Sequence, residues 1–255
     1  MSLTRAGRLL APFHDHPESS GLFTDFDGTL SAIVDEPSAA RPAEGVVDVL
    51  HELATKLAVV AVVSGRPLSF LASSLDDPLL RLSGLYGLES SHGGERNDHP
   101  SAGAWREVID DVAAQSAAAG PAGMSIENKG LSITLHYRAH PELAGDVAAW
   151  AERQARRSGL IPHPAKMSME LHPPIHAGKD TAVLALAEGL SAVCFVGDDR
   201  GDLAAFHALD SLAGKGVTTV RVVVSSDEAP PELLDRADLV VDGPAAAVGL
   251  LRSLL

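Results

Sequence analysis

Short, uninterrupted runs of apolar residues recur along the 255-residue chain, and they constrain its fold more than any other feature. Segments with a helical pattern separate these runs, which occupy residues 21–24, 57–63, 192–196, 217–224 and 239–241. A strand that is buried on both faces shows such a run instead of alternation, and parallel sheets are covered by helices on both faces. The sequence therefore predicts an α/β fold in which helices flank a parallel sheet.

Two carboxylates follow the first apolar run. Asp25 and Asp27 stand two residues apart where the predicted strand becomes a loop. At a strand tip, side chains at i and i+2 project to the same side, so both carboxylates can serve one reaction centre. Asp25 is then the candidate nucleophile of a phosphoryl transfer, and Asp27 is the candidate general acid and base. A calcium loop or a simple Asx turn is the alternative, but the bidentate Glu that an EF-hand requires does not follow.

Other polar residues follow later runs. Ser64 and Arg66 come after residues 57–63. A hydroxyl suits a phosphate oxygen, and a guanidinium group suits either phosphate or a carboxylate of a lid. Lys179 begins a helical pattern, where the helix N terminus also attracts anions. A plain turn and a solvent-facing lysine are the alternatives. Because active sites of open α/β sheets lie at the carboxyl ends of strands, we expect these residues to share one site with Asp25.

Asp198, Asp199 and Asp202 form an acidic cluster after the run at residues 192–196. Repulsion among three carboxylates is costly without a cation, so the cluster favours a metal site over a solvated acidic loop. Asp25, Asp198 and a backbone carbonyl near Asp27 offer hard oxygen ligands, and this donor type predicts Mg²⁺.

The middle of the chain alternates between apolar and polar residues. This pattern, at residues 124–127, 131–138 and 166–172, is typical of half-buried antiparallel strands, and residues 128–130 predict a hairpin turn. Two amphipathic helices, which carry Trp105 and Trp150, are expected beside these strands. The sequence thus predicts an α+β insert at residues 101–175, inside a core domain formed by residues 1–100 and 176–255.

The polar face of the predicted insert combines hydrogen-bonding groups of both charges. These residues are Lys129, His136, Arg138, Lys166, Glu170 and His172. Such a mixture suits a sugar phosphate better than a uniform run of charge does. Simple solvation of a half-exposed sheet is the alternative.

Composition restricts the partners and the compartment. The chain has 34 acidic and 20 basic residues, and its formal charge of −14 repels nucleic acid and anionic membranes. The same charge opposes an anionic substrate, which makes a metal requirement more plausible. Cys194 is the single cysteine, so we expect inert core packing and no intramolecular disulfide. Without a long apolar segment, we expect a soluble, cytoplasmic protein, whereas the oligomeric state stays open.

The motifs together resemble the phosphatases of the haloacid dehalogenase superfamily and, within it, the trehalose-6-phosphate phosphatases. The resemblance rests on residues 25–30, 64–66, 127–132, 136–138, 170–173, 178–179, 197–199 and on Asp202. It implies a Rossmann-like core with an inserted α+β cap domain, and magnesium-dependent hydrolysis of a sugar phosphate through an aspartyl-phosphate intermediate.

The resemblance also implies roles for single residues. Ser64 and Lys179 hold phosphoryl oxygens, and Asp202 orients Lys179 or a metal-bound water. The implied Mg²⁺ site comprises Asp25, Asp27 and Asp198. Substrate binding is implied for Arg66, Lys129, His136, Arg138 and Glu170.

The chain departs from the family pattern at two places. His172 stands where the family commonly has Arg, and Gly201-Asp202-Leu203 stands where it commonly has Thr-Asp-Glu. Another sugar phosphate is therefore a second substrate hypothesis, for example sucrose phosphate, a glucosyl-glycerate phosphate or a pseudo-disaccharide phosphate. A silent sugar-phosphate-binding protein is the third hypothesis.

Overall fold

The computed structural model describes residues 5–34, 36–165, 167–226 and 229–255. The chain divides into two compact units, one formed by Met1–Asn97 with Ala177–Leu255 and the other by Asp98–His176. The predicted insert at residues 101–175 falls within the second unit.

The strands are numbered in chain order. They are β1 (Ser20–Thr24), β2 (Val59–Val63), β3 (Arg81–Gly84), β4 (Glu89–His92), β5 (Glu95–Asp98), β6 (Ser125–Asn128), β7 (Ile133–His136), β8 (Ile161–Ala165), β9 (Ser168–His172), β10 (Ala192–Gly197), β11 (Thr218–Ser225) and β12 (Leu239–Asp242).

The helices are numbered in the same way. They are α1 (Arg5–Asp15), α2 (Val46–Ala54), α3 (Leu68–Leu75), α4 (Arg106–Ala119), α5 (Ala144–Ser158), α6 (Lys179–Leu186), α7 (Asp202–Ala213), α8 (Pro231–Leu234) and α9 (Gly243–Arg252). Within the described part of the chain, every helix is too short or too polar to cross a lipid bilayer.

The first unit contains an eight-stranded sheet with the order β12-β11-β10-β1-β2-β3-β4-β5. The strands from β12 to β3 are parallel, and β4 adds antiparallel to β3. Every residue of β1, β2 and β10 is buried, which explains why the sequence shows runs there instead of alternation. The predicted parallel α/β sheet is confirmed.

Helices cover both faces of this sheet. Leu22 of β1 packs in a cluster with α1, α2, α3 and α9, whereas Phe23 packs in a second cluster with α6, α7 and α8. Neighbouring residues of one strand thus bury their side chains in opposite layers, as the two-residue period of a strand requires. The prediction of helices on both faces is confirmed.

The register of the central strands brings their carboxyl ends together. Thr24 pairs with Val62 of β2 and with Val196 of β10. Asp25 follows Thr24 directly, and Ser64 and Asp198 each lie two residues beyond their paired valines. The backbone N–H of Asp25 also donates to the carbonyl of Val196 at 2.9 Å. Three of the predicted site residues are therefore placed at one edge of the sheet by strand pairing alone.

The second unit contains a four-stranded antiparallel sheet with the order β6-β7-β9-β8. One face packs on α4 and α5, through apolar residues such as Ile109, Val147 and Leu135. The other face is polar, as the alternation predicts. Simple solvation does not describe it, because Thr134 and Glu170 are buried. Lys166 lies outside the described residues.

Glu89 anchors the start of α3. Its carboxylate is buried and accepts the N–H of Leu68 at 2.7 Å, while Arg96 donates to the other oxygen at 2.6 Å. Glu89→Ala leaves that buried N–H without an acceptor, and we expect it to lower the free energy of unfolding by about 2 kcal/mol. Urea denaturation of this variant and of the exposed control Glu95→Ala tests the expectation. Equal midpoints for the two variants would contradict it.

Candidate active site

Asp25 is held rigidly at the end of β1. Its Oδ1 accepts the backbone N–H of Phe26 at 2.7 Å, and its Oδ2 lies 2.8 Å from the ammonium group of Lys179. The hydroxyl of Thr24 donates to the carbonyl of Asp25 at 2.7 Å. The carboxylate is buried, so its orientation is set by the protein before any substrate arrives.

Lys179 is the cation at the centre of this site. Its ammonium group lies 2.6 Å from Oδ1 of Asp202 as well as 2.8 Å from Asp25. The side chain is only 4% exposed, which rules out the alternative of a solvent-facing lysine. Burial alone would lower the pKa of Lys179, but the carboxylates of Asp202 and Asp25 outweigh burial and raise the pKa well above its usual range. Lys179 is therefore charged.

Asp202 connects this cation to the neighbouring loop. Its Oδ2 accepts the backbone N–H groups of Asp198 at 2.8 Å and of Asp199 at 3.1 Å. A Cβ atom at Gly197 would lie 2.3 Å from the carboxyl carbon of Asp202, so only glycine fits the last position of β10. Asp202 therefore links the ammonium group of Lys179 to the backbone of the loop after β10.

The site carries more negative than positive charge. Burial raises the pKa of Asp25 well above its usual range; Lys179 opposes this shift, and Asp202 adds to it. Burial, followed by the charges of Asp202 and Asp199, raises the pKa of Asp198 to about 8. A divalent cation would relieve this excess charge.

One carboxylate oxygen from each of Asp25, Asp199 and Asp202 lies within 4.8 Å of the other two, which is a spacing that suits one cation. Oxygen donors of this type fit a hard ion such as Mg²⁺. Asp199 was not among the ligands predicted from the sequence, although it belongs to the acidic cluster. Asp199 stands three residues before Asp202, the first residue of α7, and this spacing is the sequence signal that could have placed both carboxylates in one site.

Asp198 lies beside the loop that follows β1. Its Oδ1 accepts the hydroxyl of Thr29 at 2.9 Å. Gly28 has φ +75°, and a Cβ there would lie 1.9 Å from Oδ2 of Asp198. Gly28 is required both for the turn and for this close approach.

Asp27 has a different environment from Asp25. Both of its oxygens accept from Arg66, with Nε–Oδ2 and Nη2–Oδ1 distances of 2.7 Å. The guanidinium group also stacks over the ring of Phe70, 4.4 Å from its centroid. From the sequence, Arg66 was expected to bind phosphate or a carboxylate of the insert, and in the structure it pairs with Asp27, the second carboxylate of the motif.

Ser64 is buried next to this pair. Its hydroxyl oxygen accepts the backbone N–H of Arg66 at 3.2 Å, and its own N–H donates to the carbonyl of Ser83 at 2.9 Å. These two bonds fix the turn after β2, from which Ser64 and Arg66 project.

Glu170 organises the polar face of the second unit. Its Oε1 lies 3.0 Å from the ammonium of Lys129 and accepts the hydroxyl of Thr134 at 3.2 Å, while its Oε2 is 2.9 Å from Nε2 of His172. Burial alone would raise the pKa of Glu170, but the hydrogen bond with His172 and the charge of Lys129 lower it to about 2. Glu170 is therefore ionised at neutral pH.

The remaining predicted residues of this face lie at its edge. Nε2 of His136 is 3.1 Å from Oε2 of Glu127, and this oxygen is 4.0 Å from the ammonium of Lys129. Arg138 follows β7 and is exposed. Glu127 and Thr134 were not named as site residues from the sequence, although their alternation with apolar neighbours placed them on this face.

Sequence comparison identifies the family. The sequence model of the Trehalose-phosphatase family matches residues 23–236. The trehalose-phosphate phosphatase of Mycobacterium ulcerans is 32% identical over 199 residues, which are 74% of this chain and 51% of that protein. The trehalose-phosphate phosphatase of Mycobacterium avium is 31% identical over 243 residues, 91% of this chain and 60% of that protein. The chain thus spans little more than half the length of these relatives.

Solved structures agree at the level of the fold. The C-terminal domain of C. albicans trehalose-6-phosphate phosphatase matches 99% of this chain and 97% of its own, with a TM-score of 0.77 and 22% identity. A haloacid dehalogenase-like hydrolase from Bacteroides thetaiotaomicron matches 92% and 99%, with a TM-score of 0.66 and 15% identity. The resemblance stated from the motifs is confirmed: the family model covers most of the sequence, and the chain belongs to the trehalose-phosphatase family.

Proposed function

We propose that the protein is a magnesium-dependent phosphatase that hydrolyses trehalose 6-phosphate to trehalose and phosphate. The observation that carries the proposal is the buried ammonium of Lys179, which lies 2.8 Å from Asp25 and 2.6 Å from Asp202. In a chain of this family, such a charged group beside a rigid carboxylate is suited to phosphoryl transfer. The names of the related phosphatases support the substrate.

In the first step of the proposed reaction, a carboxylate oxygen of Asp25 attacks phosphorus. A bond forms between Asp25 and phosphorus, the bond from phosphorus to the sugar oxygen breaks, and Asp27 gives its proton to that oxygen. In the second step, Asp27 takes a proton from water, which attacks the aspartyl phosphate and releases inorganic phosphate. Asp25 is regenerated as a carboxylate.

Lys179 and Ser64 have separate tasks in this scheme. The ammonium of Lys179 stabilises the ionised form of Asp25 and the charge that collects on the phosphoryl oxygens. Ser64, at the end of the neighbouring strand, donates its hydroxyl to a phosphoryl oxygen. Asp202 keeps Lys179 in place through the 2.6 Å contact.

Arg66 connects the acid and base to the substrate. In the structure its guanidinium group donates to both oxygens of Asp27. We propose that Arg66 exchanges Asp27 for a phosphoryl oxygen when substrate binds. The carboxyl group of Asp27 is then free to hydrogen-bond to the leaving sugar oxygen.

The close carboxylates of Asp25, Asp199 and Asp202 support the cofactor proposal. Asp25, Asp198 and the backbone carbonyl of Asp27 are the proposed ligands of Mg²⁺, and Asp199 is a further carboxylate close to Asp25. When bound, the ion neutralises charge on the non-bridging phosphoryl oxygens.

The polar face of the second unit is the proposed sugar-binding surface. Lys129, His136, Arg138 and Glu170 combine hydrogen-bond donors with an ionised acceptor, which suits sugar hydroxyl groups. His172, which replaces the common Arg of the family, contacts Glu170 at 2.9 Å and so bears on the same surface. This contact supports a second candidate function, hydrolysis of another sugar or pseudo-disaccharide phosphate.

A substrate panel separates the two candidates. We expect phosphate release from trehalose 6-phosphate to exceed release from glucose 6-phosphate and sucrose 6-phosphate by at least about tenfold in kcat/KM, and to stop when a chelator removes Mg²⁺. If the protein hydrolyses another ester faster, the proposed reaction stands and that ester becomes the proposed substrate. Unchanged activity with chelator would contradict the magnesium requirement, and absence of release from every ester would contradict the proposed activity.

Asp25→Asn tests the nucleophile. The amide cannot form the aspartyl phosphate, so we expect kcat to fall by about 10⁴-fold or more. Asp48→Asn, on the exposed side of α2, is the matched control and should retain full activity. Circular dichroism and thermal melting establish that both variants fold. A folded Asp25→Asn variant with substantial turnover would contradict the mechanism.

Glu170→Gln tests the ion pairs of the proposed sugar-binding surface. Because the pKa of Glu170 is about 2 in the folded protein and 4.5 is its ordinary value, its ionisation stabilises the fold above about pH 4.5, and this contribution is lost as the pH falls toward 2. We expect the wild type to lose about 3 kcal/mol relative to Glu170→Gln across this interval. Urea denaturation at several pH values measures the free energies of unfolding of both proteins. A difference between them that does not change with pH would contradict the proposed ion pairs of Glu170.

A further inference from the structure

The segment after β3 has an unfavourable backbone conformation. Leu85 has φ +47°, and Tyr86 has φ +58° with ψ +31°. Consecutive left-handed residues that carry a Cβ are uncommon, and they persist only where the surrounding structure holds them. Contacts with neighbouring residues must therefore stabilise this conformation of Leu85 and Tyr86.

Hydrogen bonds to the turn after β2 hold both residues. The N–H of Leu85 donates to the carbonyl of Arg66 at 2.9 Å, and the N–H of Tyr86 donates to the carbonyl of Ser64 at 3.0 Å. The strained segment is thus bonded to the backbone of the two residues that we propose contact the phosphoryl group.

The phenol of Tyr86 packs directly on Gly65. A Cβ at Gly65 would lie 2.5 Å from the Tyr86 hydroxyl oxygen and 2.6 Å from Cζ. No other residue fits at position 65 while the phenol stays where it is. The glycine is therefore explained by the approach of Tyr86, since its own φ is not left-handed.

The same segment also reaches the helix that carries Lys179. Gly87 has φ +99°, and a Cβ there would be 3.7 Å from Cβ of Ala182 and 3.9 Å from the carbonyl oxygen of Gly178. Gly178 directly precedes α6, whose first residue is Lys179. Residues 85–87 accordingly lie between the turn after β2 and the N terminus of α6.

We propose that Tyr86 is a positioning residue for phosphoryl transfer: its phenol, seated on Gly65, fixes the turn after β2 so that Ser64 and Arg66 meet a phosphoryl group attacked by Asp25. This inference rests on the proposed function. The segment from Leu85 to Gly87 sets the spacing between this turn and Lys179. Because Ser64 and Arg66 lie on the same turn, a small displacement of this turn moves both proposed phosphate ligands.

Reciprocal substitution at the contact tests the inference. Gly65→Ala introduces the clashing Cβ, and we expect kcat/KM to fall by about 100-fold, since a misplacement of about 1 Å has this effect. Tyr86→Gly removes the phenol and suits the left-handed backbone. In the double variant with Gly65→Ala and Tyr86→Gly, we expect kcat/KM to be less than about threefold below that of Tyr86→Gly alone, because the clash is gone. Tyr86→Phe retains the ring and should remain within about fivefold of the wild type.

Two esters distinguish positioning of phosphate from contact with the sugar. The loss in Gly65→Ala should be the same factor with trehalose 6-phosphate and with p-nitrophenyl phosphate, because both place a phosphoryl group at the turn. Gly249→Ala, at a position with open space in α9, is the matched control. The affinity for inorganic phosphate, measured by calorimetry with Mg²⁺, should weaken in Gly65→Ala and recover in the double variant.

Several results would overturn the inference. Losses from Gly65→Ala and Tyr86→Gly that simply add would show that the contact does not couple the two residues. A fall in melting temperature with unchanged kcat/KM and phosphate affinity would show a purely structural contact. If the wild type hydrolyses neither ester, the proposed function fails, while the phosphate affinities still decide whether Tyr86 positions the turn.

Discussion

The buried ammonium of Lys179 is the interaction on which the candidate active site depends. It lies between the carboxylates of Asp25 and Asp202, and each of these side chains would be costly to bury without it. Asp202 also fixes the loop after β10, because its second oxygen accepts the backbone N–H groups of Asp198 and Asp199. One lysine thus ties β1, α6 and the loop before α7 into a single acidic centre, while the remaining negative charge is available to a divalent cation.

The chain separates its two proposed tasks between two units of different design. The first unit uses the parallel sheet to align strand ends, which gives the rigid spacing that phosphoryl transfer needs. The second uses an antiparallel sheet whose polar face surrounds Glu170 with donors from Lys129, Thr134 and His172. The first unit thus gathers several charged groups at its strand ends, whereas the second gathers hydrogen-bond donors and acceptors on one face of its sheet. The overall charge of −14 makes the few basic groups at these places more significant for an anionic substrate.

Sequence patterns predicted what depends on strands and on spacing along the chain. The parallel sheet and its helical layers follow from apolar runs, and strand pairing then brings Asp25, Ser64 and Asp198 to one edge. Contacts that depend on tertiary geometry were not predictable in this way. The pairing of Arg66 with Asp27 links residues 39 positions apart, and the left-handed backbone of Leu85 and Tyr86 is held by hydrogen bonds to the carbonyls of Arg66 and Ser64. The polar residues of β4 and β5 carry no apolar signal, so the antiparallel extension of the sheet was not predicted.

Asp25 is the proposed acceptor of the phosphoryl group, and chemical trapping tests this role most directly. The protein is mixed with trehalose 6-phosphate and Mg²⁺, quenched during turnover and reduced with borohydride, which converts an aspartyl phosphate to homoserine. Peptide mass spectrometry should then find homoserine at position 25 in the wild type. It should find more in Asp27→Asn with p-nitrophenyl phosphate, because this leaving group needs no proton from Asp27 whereas hydrolysis of the aspartyl phosphate needs Asp27 as the base. Homoserine at another aspartate, or turnover with no trapped residue in either protein, would contradict the account.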